Sequence, residues 1–597
     1  MISQMNNFFV FLKKINYLIG NDRRKLLWLV PLFLLSSVLD LIGIGLIVSF
    51  VSLLINGESL ELVRFFNLGK YQLSSRDLII IFSFFLFLLF LVKAITSIYV
   101  NKTILKICFN YGVRLRSYLI CIYQDMSYSE YASRNSSEYV YNVQTLAGQF
   151  STSIVQSILR IISEGIVGIL ILIFLAINMG VAFYIFLLLL ILSGYFYDRS
   201  FKKKNNEYGV IVNSSSTQMI QSIQEAMHGY KENHIYGITG YFNNLVHTFA
   251  KKLAIARVRS NVIVTSSRYV VELVVITFIA LVAVVSVFLG KDTIYIISTI
   301  TMFGVASLRL MPSTVQILVS FGNIRYGKNS VDKLYVDLKK YSTTNNDFNN
   351  YQIPSAVVDK KNIDDLTNNF ESLKLEKIDF SYSIGSPVIF ENINLEIKKG
   401  EMVGIIGSSG SGKTTLMDLL LCFLKPNNGG ILYNNNPISQ TASEWTSQVA
   451  YIPQEVFVLD TSLKNNIALG VVESEIDHKQ VELAIKQSKL NSLIDKLDNG
   501  LDTYIGERGV RLSGGERQRI ALARAIYHKR DILFMDESTS ALDMETEEQI
   551  LEEIKSLKGL KTFIIVAHNY ATLKYCDVIY EVTAKGLINR GKYDDIK

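Results

Sequence analysis

Gly407-Ser408-Ser409-Gly410-Ser411-Gly412-Lys413-Thr414-Thr415 is the stretch whose reading decides the fold of this chain. It follows the apolar run Met402–Ile406 and precedes the apolar run Leu416–Leu421. Strand, glycine loop and helix in that order are what give the G-x-x-x-x-G-K-[ST] pattern its meaning. The glycines let successive backbone N–H groups turn inward around phosphate oxygens, and the helix N-terminus adds partial positive charge. Lys413 is spaced to reach the β- and γ-phosphates, and Thr414 to offer its hydroxyl to Mg2+. The stretch predicts a nucleotide site.

The residues around it extend that reading. Leu373–Phe380 alternates as a strand does and leads into Ser381-Tyr382. Gln454 follows Tyr451-Ile452-Pro453, and Leu512-Ser513-Gly514-Gly515-Glu516 follows later. A glycine turn opening a helix is a second phosphate cradle. Ile532–Asp536 then Glu537 reads as a buried strand that delivers one carboxylate to Mg2+ and the next toward a water. Ser540-Ala541-Leu542-Asp543 and, after the strand at 562–567, His568 complete the series. One chain cannot easily place both cradles on one nucleotide.

This ordered set resembles the nucleotide-binding domain of ABC transporters, over roughly 370–597. The resemblance implies ATP and Mg2+ as ligands and a homodimer in which each copy lends a cradle to the other. It implies that Tyr382 stacks on adenine and that Gly407, Ser408, Ser409, Gly410, Ser411, Gly412, Lys413, Thr414 and Thr415 hold the phosphates. Thr414, Gln454 and Asp536 would serve the metal, with Gln454 linking it to the membrane domain. Glu537 is the implied general base, and His568 contacts the γ-phosphate. With Gln454 and Lys413 these two make the implied catalytic set. Ser513, Gly514 and Gly515 close over the partner's ATP, and Asp543 joins the ATP-binding set.

Departures are modest. Glu516 stands where Gln is usual, Ser538 where Ala is more frequent, and Asn569-Tyr570 where Arg is common. None removes a catalytic group, so hydrolysis is expected rather than an ATP-binding regulator without turnover. Thr503-Tyr504-Ile505-Gly506-Glu507-Arg508-Gly509 resembles the loop of exporters with fused membrane domains, which disfavours an importer.

The rest of the chain suits that expectation. Its 597 residues exceed what one core organises, and 49% are hydrophobic with a mean hydropathy of +0.27. The apolar residues crowd the first half. Blocks long enough to cross ~30 Å of hydrocarbon occupy 26–55, 78–100, 154–177, 180–197, 269–289 and 293–320. Pro31 and Gly43-x-Gly45 interrupt the first, which predicts a bend, and Asn178-Met179-Gly180 joins the third to the fourth as a tight hairpin. The polar, Lys- and Arg-rich stretches between blocks two and three, and four and five, keep helical periodicity and read as cytoplasmic extensions. Asn135-Ser136-Ser137-Glu138 offers a helix start inside the first of them. Leu60–Phe66 reads either as a short helix on the outer surface or as an ordinary external loop.

The net charge of +7 collects in loops beside apolar blocks, and no basic stripe or recognition motif supports nucleic-acid binding. Residues 1–25 are too polar for a cleavable signal, and Lys13, Lys14, Arg23, Arg24 and Lys25 place them in the cytoplasm. Cys108, Cys121, Cys422 and Cys576 show no metal or redox spacing, and Cys422 reads as a core residue of an apolar helix.

The fold class expected is therefore multidomain. A six-helix transmembrane bundle of the type IV ABC exporter kind is followed by an α/β P-loop ATPase domain. Residues 1–25 form the N-terminal segment, 26–321 the membrane domain, 322–370 a linker and 371–597 the ATPase domain.

Charges inside the spans bear on cargo. Asp40, Lys93, Glu164, Arg268, Glu272 and Arg309 lie in or beside apolar blocks, where a charge must face protein or water. Acids and bases balance, so a structural ion-pair network and a cationic cavity are both open, and Glu272 one turn from Arg268 suits a pair. Leu35–Ile47, Tyr128–Val143 and Leu308–Ser313 resemble the PglK-type flippases of lipid-linked oligosaccharides. That resemblance implies a polyprenyl-pyrophosphate glycan as cargo, moved across a bacterial inner membrane, with Lys93, Arg268 and Arg309 as the cationic cavity. An exporter of peptides, drugs or another lipid is the alternative.

Overall fold

The computed structural model describes residues 2–20, 28–56, 75–179, 181–288, 293–341, 348, 351, 370–383, 385–506, 509, 512–537, 544–567 and 570–596. The readings placed on Leu60–Phe66, Glu507-Arg508, Ser538–Asp543 and His568-Asn569 lie outside them. The chain divides into two compact units, residues 1–126 with 130–353, and residues 127–129 with 354–597.

The first unit is helical. Its long helices are α1 (Ile2–Ile19), α2 (Val30–Asn56), α3 (Ser75–Gln124), α4 (Gln156–Met179), α5 (Val181–His228), α6 (Thr239–Phe288), α7 (Thr293–Tyr326) and α8 (Lys328–Tyr341). The six from α2 to α7 are long and apolar enough to cross a membrane. α3, α5 and α6 run to 50, 48 and 50 residues. At 1.5 Å per residue each approaches ~75 Å, over twice the hydrocarbon thickness. The polar sequence beyond each apolar block therefore continues as helix.

Pro31 did not break α2. It is the second residue of the helix, where its missing N–H has no partner to lose. Gly43 lets α3 come close: a Cβ there would lie 3.4 Å from Phe90 Cζ. The Asn135 cap is realised, its side chain accepting from Ser137 N at 2.9 Å. From there the chain runs helical into α4 through two π-helical stretches, Asn142–Leu146 and Phe150–Val155.

Past the apolar blocks, α3 buries Ile104, Cys108, Leu115, Tyr118 and Ile122 at helical spacing. They pack with Phe150 and Ile154, with Leu334 and Leu338 of α8, and with Phe348. α1 docks on α8 through buried Ile15 and Leu18, a 2.6 Å Lys14–Asp332 ion pair and an edge contact of Tyr17 on Tyr335. Within the apolar block of α3 the pattern inverts, and Ile80, Phe84, Phe87 and Ile98 are exposed. Surfaces of that kind are stable against lipid.

The second unit holds two sheets. An antiparallel sheet has the order β2 (Phe390–Lys398), β1 (Ser372–Phe380), β4 (Asn428–Tyr433), β5 (Asn436–Pro437). The larger sheet runs β10 (Gly586–Gly591), β9 (Val578–Thr583), β3 (Met402–Ile406), β8 (Thr562–Val566), β7 (Ile532–Asp536), β6 (Val449–Ile452). All but β10 are parallel. Alternate residues of its central strands feed opposite cores. Leu533, Met535, Phe563 and Ile565 enter one; Ile532, Phe534, Ile564 and Val566 enter the other. Both faces are covered, which is why these strands read as unbroken apolar runs.

Cys422 corrects the helix reading placed on it. The helix from Lys413 stops at Leu420, and Cys422 turns the chain in a left-handed conformation at φ 63. It still packs against the core, and burial pushes its thiol up to about 12.

Candidate functional site

The parallel sheet brings the segments expected to bind nucleotide to one edge. Ile405 of β3 lies opposite Val566 of β8, Val566 opposite Asp536 of β7, and Met535 opposite Ile452 of β6. With ~4.8 Å between neighbouring strands, the segments leaving all four strands emerge side by side. Those segments are the glycine loop, the Gln454 turn, Asp536-Glu537 and the one that runs on to His568. Ligands bind α/β sheets at this carboxyl edge.

The loop between β3 and α9 (Lys413–Leu420) needs its glycines for contact reasons. A Cβ on Gly407 would sit 2.6 Å from the Val582 carbonyl oxygen. Gly412, at φ 107, is the left-handed residue that opens α9, and a Cβ there would press on Ile389 and Phe390. Lys413 is buried, its Nζ donating to the carbonyls of Gly407 at 2.9 Å and Ser408 at 3.2 Å. Ser411 Oγ is buried without a partner. Narrow glycine backbone, an ammonium curled over it and an unsatisfied hydroxyl fit a phosphate chain. Thr414 is exposed at the helix start, whereas Thr415 is buried and bonds the Tyr382 hydroxyl at 3.0 Å. Tyr382 itself is 56% exposed beside the loop, with an edge contact on Phe380.

Asp536 ends β7, and Tyr451 of β6 donates its hydroxyl to Asp536 Oδ2 at 3.2 Å. Burial and the negative charge of Asp536 push the Asp418 carboxyl up to about 6. Asp418 is one turn beyond Thr414 on α9. Sequence reasoning missed Tyr451 and Asp418; their spacing from Gln454 and Thr414 was the available signal. Glu537 donates its N–H to Val566 O at 3.0 Å while its φ is 48. A left-handed non-glycine residue directly after a buried strand stores strain of the kind found at functional sites. Gln454 is exposed in the turn after β6. Oxygen donors from Thr414, Gln454 and Asp536 are the set a hard cation such as Mg2+ takes.

The second cradle stands apart from the first in the chain. Ser513 caps α10 (Gly514–Tyr527) with a complete capping box: Ser513 N donates to Glu516 Oε2 at 2.7 Å, and Ser513 Oγ accepts from Glu516 N at 3.3 Å. The departure at Glu516 is thus a cap that fixes the Ser-Gly-Gly turn.

Residues 390–540 match the family model described as ABC transporter. That stretch of the chain is an ABC transporter domain. It is 30% identical over 390 residues to an ATP-dependent lipid A-core flippase of Alcanivorax borkumensis, covering 64% of this chain and 63% of that one. A lipid A-core flippase of Ralstonia nicotianae is 35% identical over 226 residues, 38% of each chain. The leukotoxin translocation ATP-binding protein LktB of Mannheimia glucosida is 38% identical over 225 residues, 38% of this chain and 32% of that one. The matches thus span less than two-thirds of these relatives' lengths. A solved bacterial Atm1-family ABC exporter with ATP bound superposes with a TM-score of 0.77 at 20% identity, covering 96% of this chain and 97% of that one. The fold is that of an ABC exporter half, with membrane helices and ATPase domain in one chain.

Among the long apolar helices, Asp40 of α2 is 1% exposed and lies between two cations. Lys93 Nζ of α3 is 2.6 Å from its Oδ1, and Arg309 Nε of α7 is 2.9 Å from its Oδ2. Arg309 Nη1 also reaches Glu164 Oε2 of α4 at 3.5 Å, and Ser313 donates to the same oxygen at 2.8 Å. Lys93 and Arg309 are thus brought together, and each is opposed by a carboxylate. Arg268 is exposed on α6, and the expected Arg268–Glu272 pair is not among the ion pairs of the described residues.

Proposed function

We propose that this chain hydrolyses ATP to drive transport across a bacterial inner membrane, working as a homodimer. The observation that carries this is the pair of phosphate cradles on separate elements, one around Lys413 and one at Ser513, in a chain that also has six membrane-length helices. In the homodimer each Lys413 loop faces the other copy's Ser513-Gly514-Gly515 turn. Thr414, Gln454 and Asp536 hold Mg2+, which neutralises phosphate charge. Glu537 positions and deprotonates the attacking water, while Lys413 and His568 stabilise the γ-phosphate. Asp543 completes the ATP contacts.

For cargo, the reading is a polyprenyl-pyrophosphate-linked oligosaccharide flipped between leaflets. Lys93 and Arg309 support it, as does the local resemblance to PglK-type flippases. Arg268, exposed on α6, is the third cation of the proposed cavity. A pyrophosphate must compete with Asp40 and Glu164 for these cations, and a doubly charged group is suited to do so. The test is translocation of a defined fluorescent polyprenyl-pyrophosphate glycolipid in proteoliposomes, with and without ATP. ATP-dependent flipping supports the reading; ATP turnover with no movement of that lipid removes the cargo. Export of a peptide, drug or another lipid is the second reading, favoured by the matches to LktB and to the lipid A-core flippases, and the same vesicles loaded with those cargoes separate the readings.

A further inference from the structure

Between α5, α6 and α7 lies a cavity of about 310 Å³. Ile263, Val264, Leu318 and Phe321 make most of its wall apolar. Gly194 opens it, since a Cβ there would meet nothing within 4 Å. One end is polar. Arg325 Nη1 pairs with Asp198 Oδ1, and Asn205 donates to the Gly322 carbonyl at 2.8 Å while accepting from Ser260 at 2.5 Å.

Its place along the helices matters as much as its lining. The apolar blocks on α5 and α7 end near 197 and 320, and the block on α6 begins near 269. The cavity residues at 194–205, 263–264 and 318–325 therefore straddle the boundary between hydrocarbon and water. Lys202, Lys203 and Lys204 continue α5 into solvent, all exposed. Apolar space at one end and cations at the other are the shape of an amphiphile. At this volume, the low end of ligand pockets, a single chain fits and a whole glycolipid does not.

We infer that this cavity binds a membrane phospholipid, one acyl chain against the apolar wall and the phosphate at Arg325. The guanidinium has five N–H donors in a planar fork, and its pairing with Asp198 uses Nη1. The remaining donors can take a phosphate, and the three neighbouring lysines attract one. The site is independent of the cargo and requires only that the six helices lie in a bilayer.

The test uses the full-length protein in nanodiscs doped with photoreactive phosphatidylglycerol or, separately, photoreactive diacylglycerol. Cross-linked peptides are then mapped by mass spectrometry. Phosphatidylglycerol is expected to label the peptides around 194–205 and 318–325 more than diacylglycerol does. Gly194→Leu, which fills the space, should abolish that labelling while labelling along the exposed face of α3 persists; Gly194→Ala should keep it. Arg325→Gln should lower phosphatidylglycerol labelling there roughly tenfold and leave diacylglycerol unchanged. Leu318→Trp fills the cavity from another wall and serves if Gly194→Leu does not fold. Labelling that ignores both filling variants, or equal labelling by the two lipids, overturns the inference.

Discussion

Arg309 Nε stands 2.9 Å from Asp40 Oδ2, an ion pair between α7 and α2 at a depth where neither charge can be left to lipid. Lys93 shares the same carboxylate, so Asp40 holds two cations at once. Removing one partner of a buried pair costs ~3–5 kcal/mol. Asp40→Ala, which strands Lys93, should therefore lower the unfolding temperature of the detergent-solubilised protein far more than Asp40→Asn combined with Lys93→Met, which leaves Arg309 paired with Glu164. Equal losses for the two variants would show that the charges are not coupled.

The capping box at Ser513 gives a second expectation. Glu516→Ala removes half of it and should destabilise the start of α10 by ~1 kcal/mol. In the proposed homodimer that turn closes over the partner's ATP, so KM for ATP should rise. Glu516→Gln keeps an acceptor for Ser513 N and should behave as wild type. Steady-state ATPase kinetics on the two variants provide the check.

The Lys413 loop and the Ser513 turn should complement each other between copies. Homodimers of Lys413→Ala or of Ser513→Arg should both be inactive. A co-purified dimer with one change in each copy retains one site whose loop and turn are both intact. It is expected to keep measurable ATPase, up to about half of wild type if the sites act independently. Inactivity equal to the parent homodimers would contradict sharing of sites across the dimer.

Asp418 supplies the pH dependence. Its folded carboxyl is raised to about 6 from 3.8 by burial and by Asp536. A raised acid favours the fold fully below the unfolded value, and that contribution is lost as pH rises through the folded value. The window is therefore between about 4 and 6. In EDTA without nucleotide, Asp418→Asn should gain stability relative to wild type on going from pH 5 to pH 7.5, by ~1 kcal/mol or less given the solvent screening of a half-buried group. Melting curves at the two pH values test the sign.

Much of this was legible in the chain because local chemistry and register carry it. The glycine loop, the Ser513 turn and the strand ending in Asp536-Glu537 each announce their backbone from neighbouring residues. The parallel register then brings them to one edge. What was not legible depended on contacts between distant segments. Asp40 reads as one of several span charges until α2, α3 and α7 bring Lys93 and Arg309 onto it. The Arg268–Glu272 pairing failed because helical spacing allows such a pair without requiring it. Cys422 was misplaced because apolar character continues past the helix end, while the left-handed turn leaves no mark in an apolar run. Tyr451 reaches Asp536 across the sheet, a relation that only strand order reveals.

The most direct test of ATP-driven transport is flipping of a defined pyrophosphate-linked glycolipid by proteoliposomes of the wild type and of Glu537→Gln, each with Mg-ATP. Wild type should translocate the lipid only with ATP, and the variant should bind ATP yet neither hydrolyse it appreciably nor sustain flipping. Sustained flipping at the wild-type rate by Glu537→Gln, or by wild type without nucleotide, would contradict an ATP-driven mechanism.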